Sequence, residues 1–196
     1  MLQLVLSTFG VIFVAELPDK TALASLVLAS RYPARHVIAG AWLAFLVQTA
    51  VAVAAGSLLT MLPERPVRIA AGVGFLVFAV LAIRRKEEAE VADEVREVKQ
   101  EVRRGHFPWL ASFLVVFAAE WGDLTQLATA ALVAHTGQPI PVAIGAVAAL
   151  WTVTVLAVVA GSHLGRLFAP VLLNRASAVV FTGIGGFIIV STLLQG

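Results

Sequence analysis

The chain has 196 residues, of which 60% are hydrophobic and 13% charged, with a mean hydropathy of +0.93 and a formal net charge of +2. Soluble domains carry about 45–50% apolar and roughly 25% charged residues, so this composition excludes that class and indicates an integral membrane protein. The small net charge and the lack of a basic aromatic patch argue against a nucleic-acid partner, and the absence of cysteine excludes disulfides and thiolate metal sites.

A spanning helix needs about 20 mostly apolar residues. The first stretch that meets this runs from Leu2 to Ala29. Its opening residues, Met1 to Ala15, lack a basic n-region and the apolar run continues past Glu16, so no cleaved signal peptide is expected. Within this stretch lies Ala15-Glu16-Leu17-Pro18-Asp19-Lys20-Thr21. Each Asp, Lys or Arg at the centre of a membrane helix costs roughly 2.5–3.5 kcal/mol to insert, and an ionisable group at that depth points by default to function. The second and third stretches are Val37–Leu62 and Val67–Ile83, separated by Pro63-Glu64-Arg65-Pro66.

Arg84 to His106 is polar, holding seven of the fourteen Lys and Arg residues and seven of the twelve acids. Val91, Val95, Val98 and Val102 recur at spacings that place one apolar stripe on a helix, so the expectation is an amphipathic linker. Three further stretches follow: Phe107–Ala134, Ile140–Leu164 and Ser177–Leu194, with Gly137-Gln138-Pro139 and Pro170 between them. The first of these carries the second acidic motif, Ala119-Glu120-Trp121-Gly122-Asp123-Leu124-Thr125.

The two halves repeat. Aligning Glu16 with Glu120 also aligns Phe13 with Phe117, Asp19 with Asp123, Thr21 with Thr125 and Leu23 with Leu127. With one more residue of offset, Gly40-Ala41 matches Gly145-Ala146, and Ala55-Gly56-Ser57 matches Ala160-Gly161-Ser162. Three helices per half is an odd number, so the second half enters the membrane from the opposite side. The expected fold is an all-α membrane protein of six transmembrane helices. They form two inverted three-helix repeats, 1–83 and 107–196, joined by a charged cytoplasmic linker, 84–106. Secondary transporters are commonly built this way, with the substrate site near the midplane between repeats. Basic residues orient the chain: Arg31, Arg35, the seven in the linker, Arg166 and Arg175 fall on one side, against Arg65 and Arg68 on the other. The positive-inside rule then puts the linker in the cytoplasm and both termini outside, as in a bacterial plasma membrane.

On a regular helix, positions three apart share a face, so Glu16 and Asp19 are expected to point together, as are Glu120 and Asp123. Two inverted first helices crossing at mid-depth would gather four carboxylates, the oxygen ligands that hard divalent cations prefer. Mn²⁺ and Ca²⁺ suit such a site, and softer metals do not, since no His lies mid-helix. Pro18 cannot donate to the carbonyl of Val14 and Gly122 loosens the helix at the matching place, so both motifs are expected to free backbone carbonyls. Thr21, Thr125, Gln48 and Gln126 are candidates for neutral oxygens. Lys20, four residues after Glu16, is placed to pair with it. Trp121 adjoins Glu120 and is a candidate wall of the site, whereas His36, His106, His135 and His163 fall at interfaces or in the linker.

The paired motifs resemble the pattern Glu-x-Gly-Asp-Lys/Arg-Thr/Ser, found once in each half of the Gcr-dependent translation factor family, the Golgi and bacterial calcium/manganese–proton exchangers of the lysine-exporter superfamily. The resemblance covers nearly the whole chain. It implies cation binding by Glu16, Asp19, Glu120 and Asp123, assisted by Thr21 and Thr125, with no resident cofactor. Pro18 and Leu124 depart from the pattern. The function expected is antiport of Mn²⁺ or Ca²⁺ against protons in a lipid bilayer, compatible with a homodimer. An exporter of an amino acid or other small solute, and an intramembrane hydrolase using Asp19 and Asp123, are the alternatives.

Overall fold

The computed structural model describes residues 1–16, 28–29, 32–84, 107–164 and 170–194. The linker expected over 84–106 lies outside these residues except for Arg84, and so do Pro18, Asp19, Lys20 and Thr21 of the first motif. The described elements are all helical: α1 (Leu2–Glu16), α2 (Ala34–Leu59), α3 (Glu64–Arg84), α4 (Pro108–Ala119), α5 (Leu124–Thr136), α6 (Pro139–Leu164) and α7 (Pro170–Leu194). Two of them, α2 and α6, are long and apolar enough by themselves to cross a bilayer.

Prolines open helices here. Pro108 sits in the first turn of α4, while Pro139 and Pro170 are the first residues of α6 and α7. A first-turn proline loses no intrahelical bond and its φ is already helical. This corrects the expectation that Pro139 and Pro170 lie between segments, and it starts α7 ahead of Ser177. The fourth expected span, Phe107–Ala134, divides into α4 and α5. Gly137 ends α5 in the left-handed conformation (φ 64°) and its N–H bonds the carbonyl of Val133 at 2.9 Å.

The halves interlock. The most extensive helix pairings are α3 on α7, α4 on α2 and α1 on α6, each joining residues before 85 to residues after 107. Glycines allow the close approaches. A Cβ on Gly40 would collide with the carbonyl oxygen of Trp109 and lie 2.7 Å from Ser112 Cβ. A Cβ on Gly145 would lie 2.6 Å from the carbonyl oxygen of Val5 and 2.8 Å from Thr8 Cβ. Small residues at helix crossings are how helices pack where lipid removes the hydrophobic drive between them. These two contacts are counterparts: Gly40 and Gly145 match in the repeat alignment, and so do Ser112 and Thr8. The aromatic stacks recur likewise, with Phe9 on Phe13 at 5.4 Å and 13° and Phe113 on Phe117 at 5.4 Å and 15°.

One apolar core draws on all seven helices, from Ile12 and Ala15 through Phe45, Phe75, Val116, Leu132 and Leu150 to Phe181 and Ile188. The surface is also apolar, with Val159, Val179 and Phe187 more than 70% exposed. Exposed apolar area of this kind is what lipid covers and water does not tolerate. Trp42 of α2 and Trp151 of α6 stack at 4.5 Å, and each indole N–H donates to the other's backbone carbonyl, at 3.3 and 3.1 Å.

Candidate functional site

Six of the buried polar residues come in pairs. Thr8 and Ser112, Glu16 and Glu120, and Thr49 and Thr154 are all buried, and each pair occupies matching places in the two halves. Glu16 is wholly buried and Glu120 is 2% exposed. Glu16 lies in α1, and Glu120 stands at the C-terminal end of α4, following its last residue. Carbonyls exposed at a helix C-terminus give that end a partial negative charge, which adds to a carboxylate in attracting a cation.

The second motif is a break in the helix, which corrects the expectation that Glu120 and Asp123 share one face of a continuous helix. Glu120 caps α4, Gly122 takes φ 76°, and Asp123 is the N-cap of α5. Asp123 accepts from the Gln126 N–H at 2.8 Å on Oδ1, and on Oδ2 from the Thr125 N–H at 3.2 Å and the Thr125 hydroxyl at 2.7 Å. Two donors of the first turn of α5 are thereby satisfied and the carboxylate is held in one orientation. A positive φ costs a residue with a Cβ roughly 1–2 kcal/mol, which explains glycine at the turn.

The broken span is tied to α2. Gln48, 4% exposed on α2, donates its amide to the Phe117 carbonyl at 3.0 Å, one of the last four carbonyls of α4 that a helix leaves unmet. Gln126 donates to the Gln48 backbone carbonyl at 3.4 Å, and its own amide oxygen accepts from the Gly122 N–H at 2.7 Å. The Thr129 hydroxyl bonds the Thr125 carbonyl at 2.7 Å. Trp121 is 56% exposed with its ring against Phe117 at 4.8 Å, so it lies at the surface and does not wall a buried site.

α1 meets the fourth span chiefly through α5, and its main partner is α6. Among the described residues no three His, Asp or Glu side chains come together as a metal-binding group. Glu16, Glu120 and Asp123 therefore do not make one by themselves, and the expected set of four includes Asp19, which lies outside the described residues. Sequence reasoning missed the reciprocal Trp42–Trp151 pair, whose partners are 109 residues apart.

Capping by Asp123 and the cation-ligand role expected of it from the sequence can be separated by substitution. Asp123→Asn keeps an acceptor for the cap and removes the charge, whereas Asp123→Ala removes both, at about 0.5–2 kcal/mol for the cap. Thermal unfolding in detergent is expected to place the Asn variant near the parent and the Ala variant below it, with cation-dependent transport lost in both. Parental transport in the Asn variant would leave Asp123 with capping alone.

Comparison with known proteins bears on this site. A family model described as divalent cation/proton antiporter GDT1 matches residues 4–90 and 108–195. A GDT1-like protein of Synechocystis sp. is 34% identical over 190 residues, covering 90% of this chain and 88% of its own. GDT1-like protein 3 of Arabidopsis thaliana is 30% identical over 198 residues, covering 90% of this chain and 67% of its own. A chloroplastic PAM71-homolog of the same plant is 29% identical over 202 residues, covering 89% and 56%. No solved structure matches. The matched family is one of transporters, not enzymes, and its exchange of a divalent cation for protons agrees with buried carboxylates in an apolar, all-helical chain. This chain belongs to the GDT1 family of divalent cation/proton antiporters.

Proposed function

We propose that the protein exchanges Mn²⁺ or Ca²⁺ for protons and exports the cation from the cytoplasm. The observation that carries this is the pair of buried glutamates, Glu16 and Glu120, at matching places in the two halves of a chain of this family. In the cation-loaded state Glu16, Asp19, Glu120 and Asp123 surround the ion, with Thr21 and Thr125 assisting and Gln48 and Gln126 supporting the site. Lys20 neutralises the site when it is empty. Four carboxylates gathered in a low-dielectric interior repel one another, so they take up protons or a divalent cation. If the protein occludes only when the charge is neutralised, cation and protons must alternate, and exchange follows without leak.

The architecture that goes with this reading is six spans in two inverted repeats, 1–83 and 107–196, with the 84–106 linker and its basic residues in the cytoplasm and both termini outside. Its support is the swapped pairing of α1 with α6 and of α4 with α2, together with the counterpart contacts of Gly40 and Gly145. A two-fold relation makes contacts reciprocal in this manner. Alternating access is then rocking of one repeat against the other. The wider grouping with lysine exporters belongs to the same proposal.

Everted membrane vesicles containing the protein test it. With an interior-acid gradient imposed, Mn²⁺ or Ca²⁺ added outside should enter the vesicles and dissipate the gradient. Vesicles that respond to a small solute but to neither cation would establish a solute exporter instead.

A further inference from the structure

The repeat is matched in its acids but not in what holds them. In the second half Gln126 accepts from the Gly122 N–H at 2.7 Å, and its amide nitrogen reaches the Gln48 carbonyl at 3.4 Å. Gln48 in turn holds the Phe117 carbonyl at 3.0 Å. In the first motif the matching positions are Ala22 for Gln126 and Pro18 for Gly122, and Val153 of α6 stands where the repeat would place a counterpart of Gln48. Proline has no N–H to donate, and alanine and valine have no polar group to offer. The donor and the acceptor of the Gly122–Gln126 bond thus both lack counterparts in the first motif, and the position matching Gln48 carries no amide. Leu124 against Lys20 is a further inequality of the two motifs.

We propose that Gln126 and Gln48 are positioning residues that lock the Glu120–Asp123 turn to α2 and so hold the second motif's share of the cation site in place. This rests on the exchanger reading above. The assignment follows from where the amides are committed. The Gln126 oxygen is engaged by a backbone N–H, and the Gln48 nitrogen, which cannot bind a cation, is the atom that bonds Phe117. Between them these bonds fix the C-terminal end of α4, which carries Glu120, and the turn that delivers Asp123 to the N-terminus of α5. Residues that orient ligands in this way typically alter metal affinity by about 10–100-fold when removed.

The test uses the full chain in proteoliposomes, with Mn²⁺ and Ca²⁺ as probes and initial rates measured against cation concentration. Gln126→Met and Gln48→Met keep side-chain volume and remove the bonds. Each is expected to raise the cation KM by about tenfold with the maximal rate within about twofold of the parent. Because both act through one turn, the double variant is expected to show a KM no higher than the worse single variant. Either single variant carries the test if the other does not fold, as judged by thermal unfolding in detergent. An unchanged KM in a folded single variant overturns the proposal, and so do effects that multiply in the double variant, which would make each glutamine an independent ligand. Failure of the parent itself to move either cation would instead overturn the exchanger reading.

Discussion

Glu120→Gln is expected to reduce cation-driven proton movement by about 100-fold or more, since affinity for Ca²⁺ across natural sites follows the number of charged ligands. Glutamine matches glutamate in shape and exchanges one acceptor oxygen for an NH2 donor, so the packing around the 2% exposed side chain is kept. What disappears is one negative charge at the C-terminal end of α4, where the helix carbonyls already favour a cation. Glu16→Gln should do the same, because Glu16 is as deeply buried in α1. Neither substitution changes side-chain size, so thermal unfolding in detergent should show both variants folded. Vesicle flux at the parental level in either variant would remove that glutamate from the site.

Gly40→Ala should be the most damaging conservative change in the membrane interior. The added methyl group has no room: the carbonyl oxygen of Trp109 stands in its place, with Ser112 Cβ at 2.7 Å and the Phe113 nitrogen at 2.8 Å. Two of these neighbours are backbone and cannot rotate away, so α2 and α4 must separate. Overpacking costs typically 1–3 kcal/mol and sometimes more. A domain of this size then loses about 2–4 °C of unfolding midpoint per kcal/mol. Gly145→Ala should behave alike, because its methyl group would meet the Val5 carbonyl at 2.6 Å. Gly10 and Gly186 have nothing within 4 Å, and their alanine variants are the controls. If Gly40→Ala melts with Gly10→Ala, the tight crossing of α2 over α4 is not part of the folded protein.

The effect on transport distinguishes the two classes. Separating α2 from α4 also pulls Gln48 from Phe117, since both glycine and glutamine lie on α2. Gly40→Ala should therefore weaken cation use as well as stability, while the glutamate variants lose transport and keep their fold.

Composition and repetition were legible without coordinates. Charge is so scarce in this chain that two acids placed in an apolar segment, and then placed again at the same interval, stand out for an elementary reason: ions in lipid are costly. Glu16 and Glu120 were identified on that ground, and both are buried. The helices α2, α3 and α6 were legible from apolar length alone. The break after Ala119 was half legible. Gly122 marked a weak place, but whether an Asp three residues beyond Glu120 continues a helix or starts one depends on a local contest. Asp123 wins it by taking the N–H groups of Thr125 and Gln126, which a spacing rule does not weigh.

What the sequence determined by itself is the solvent, the class of the fold, the doubling of the acidic motif and the chemistry of ions it suits, because each follows from residue type and interval along one chain. Only the tertiary structure decided that Gln48 holds Phe117 from 69 residues away, that Trp42 and Trp151 bond each other's backbone, and that α1 meets the fourth span through α5. The physical reason is common to all three. A buried amide or indole must find a partner once water is gone, and which carbonyl it finds is set by how closely two helices approach, not by anything written beside it in the chain.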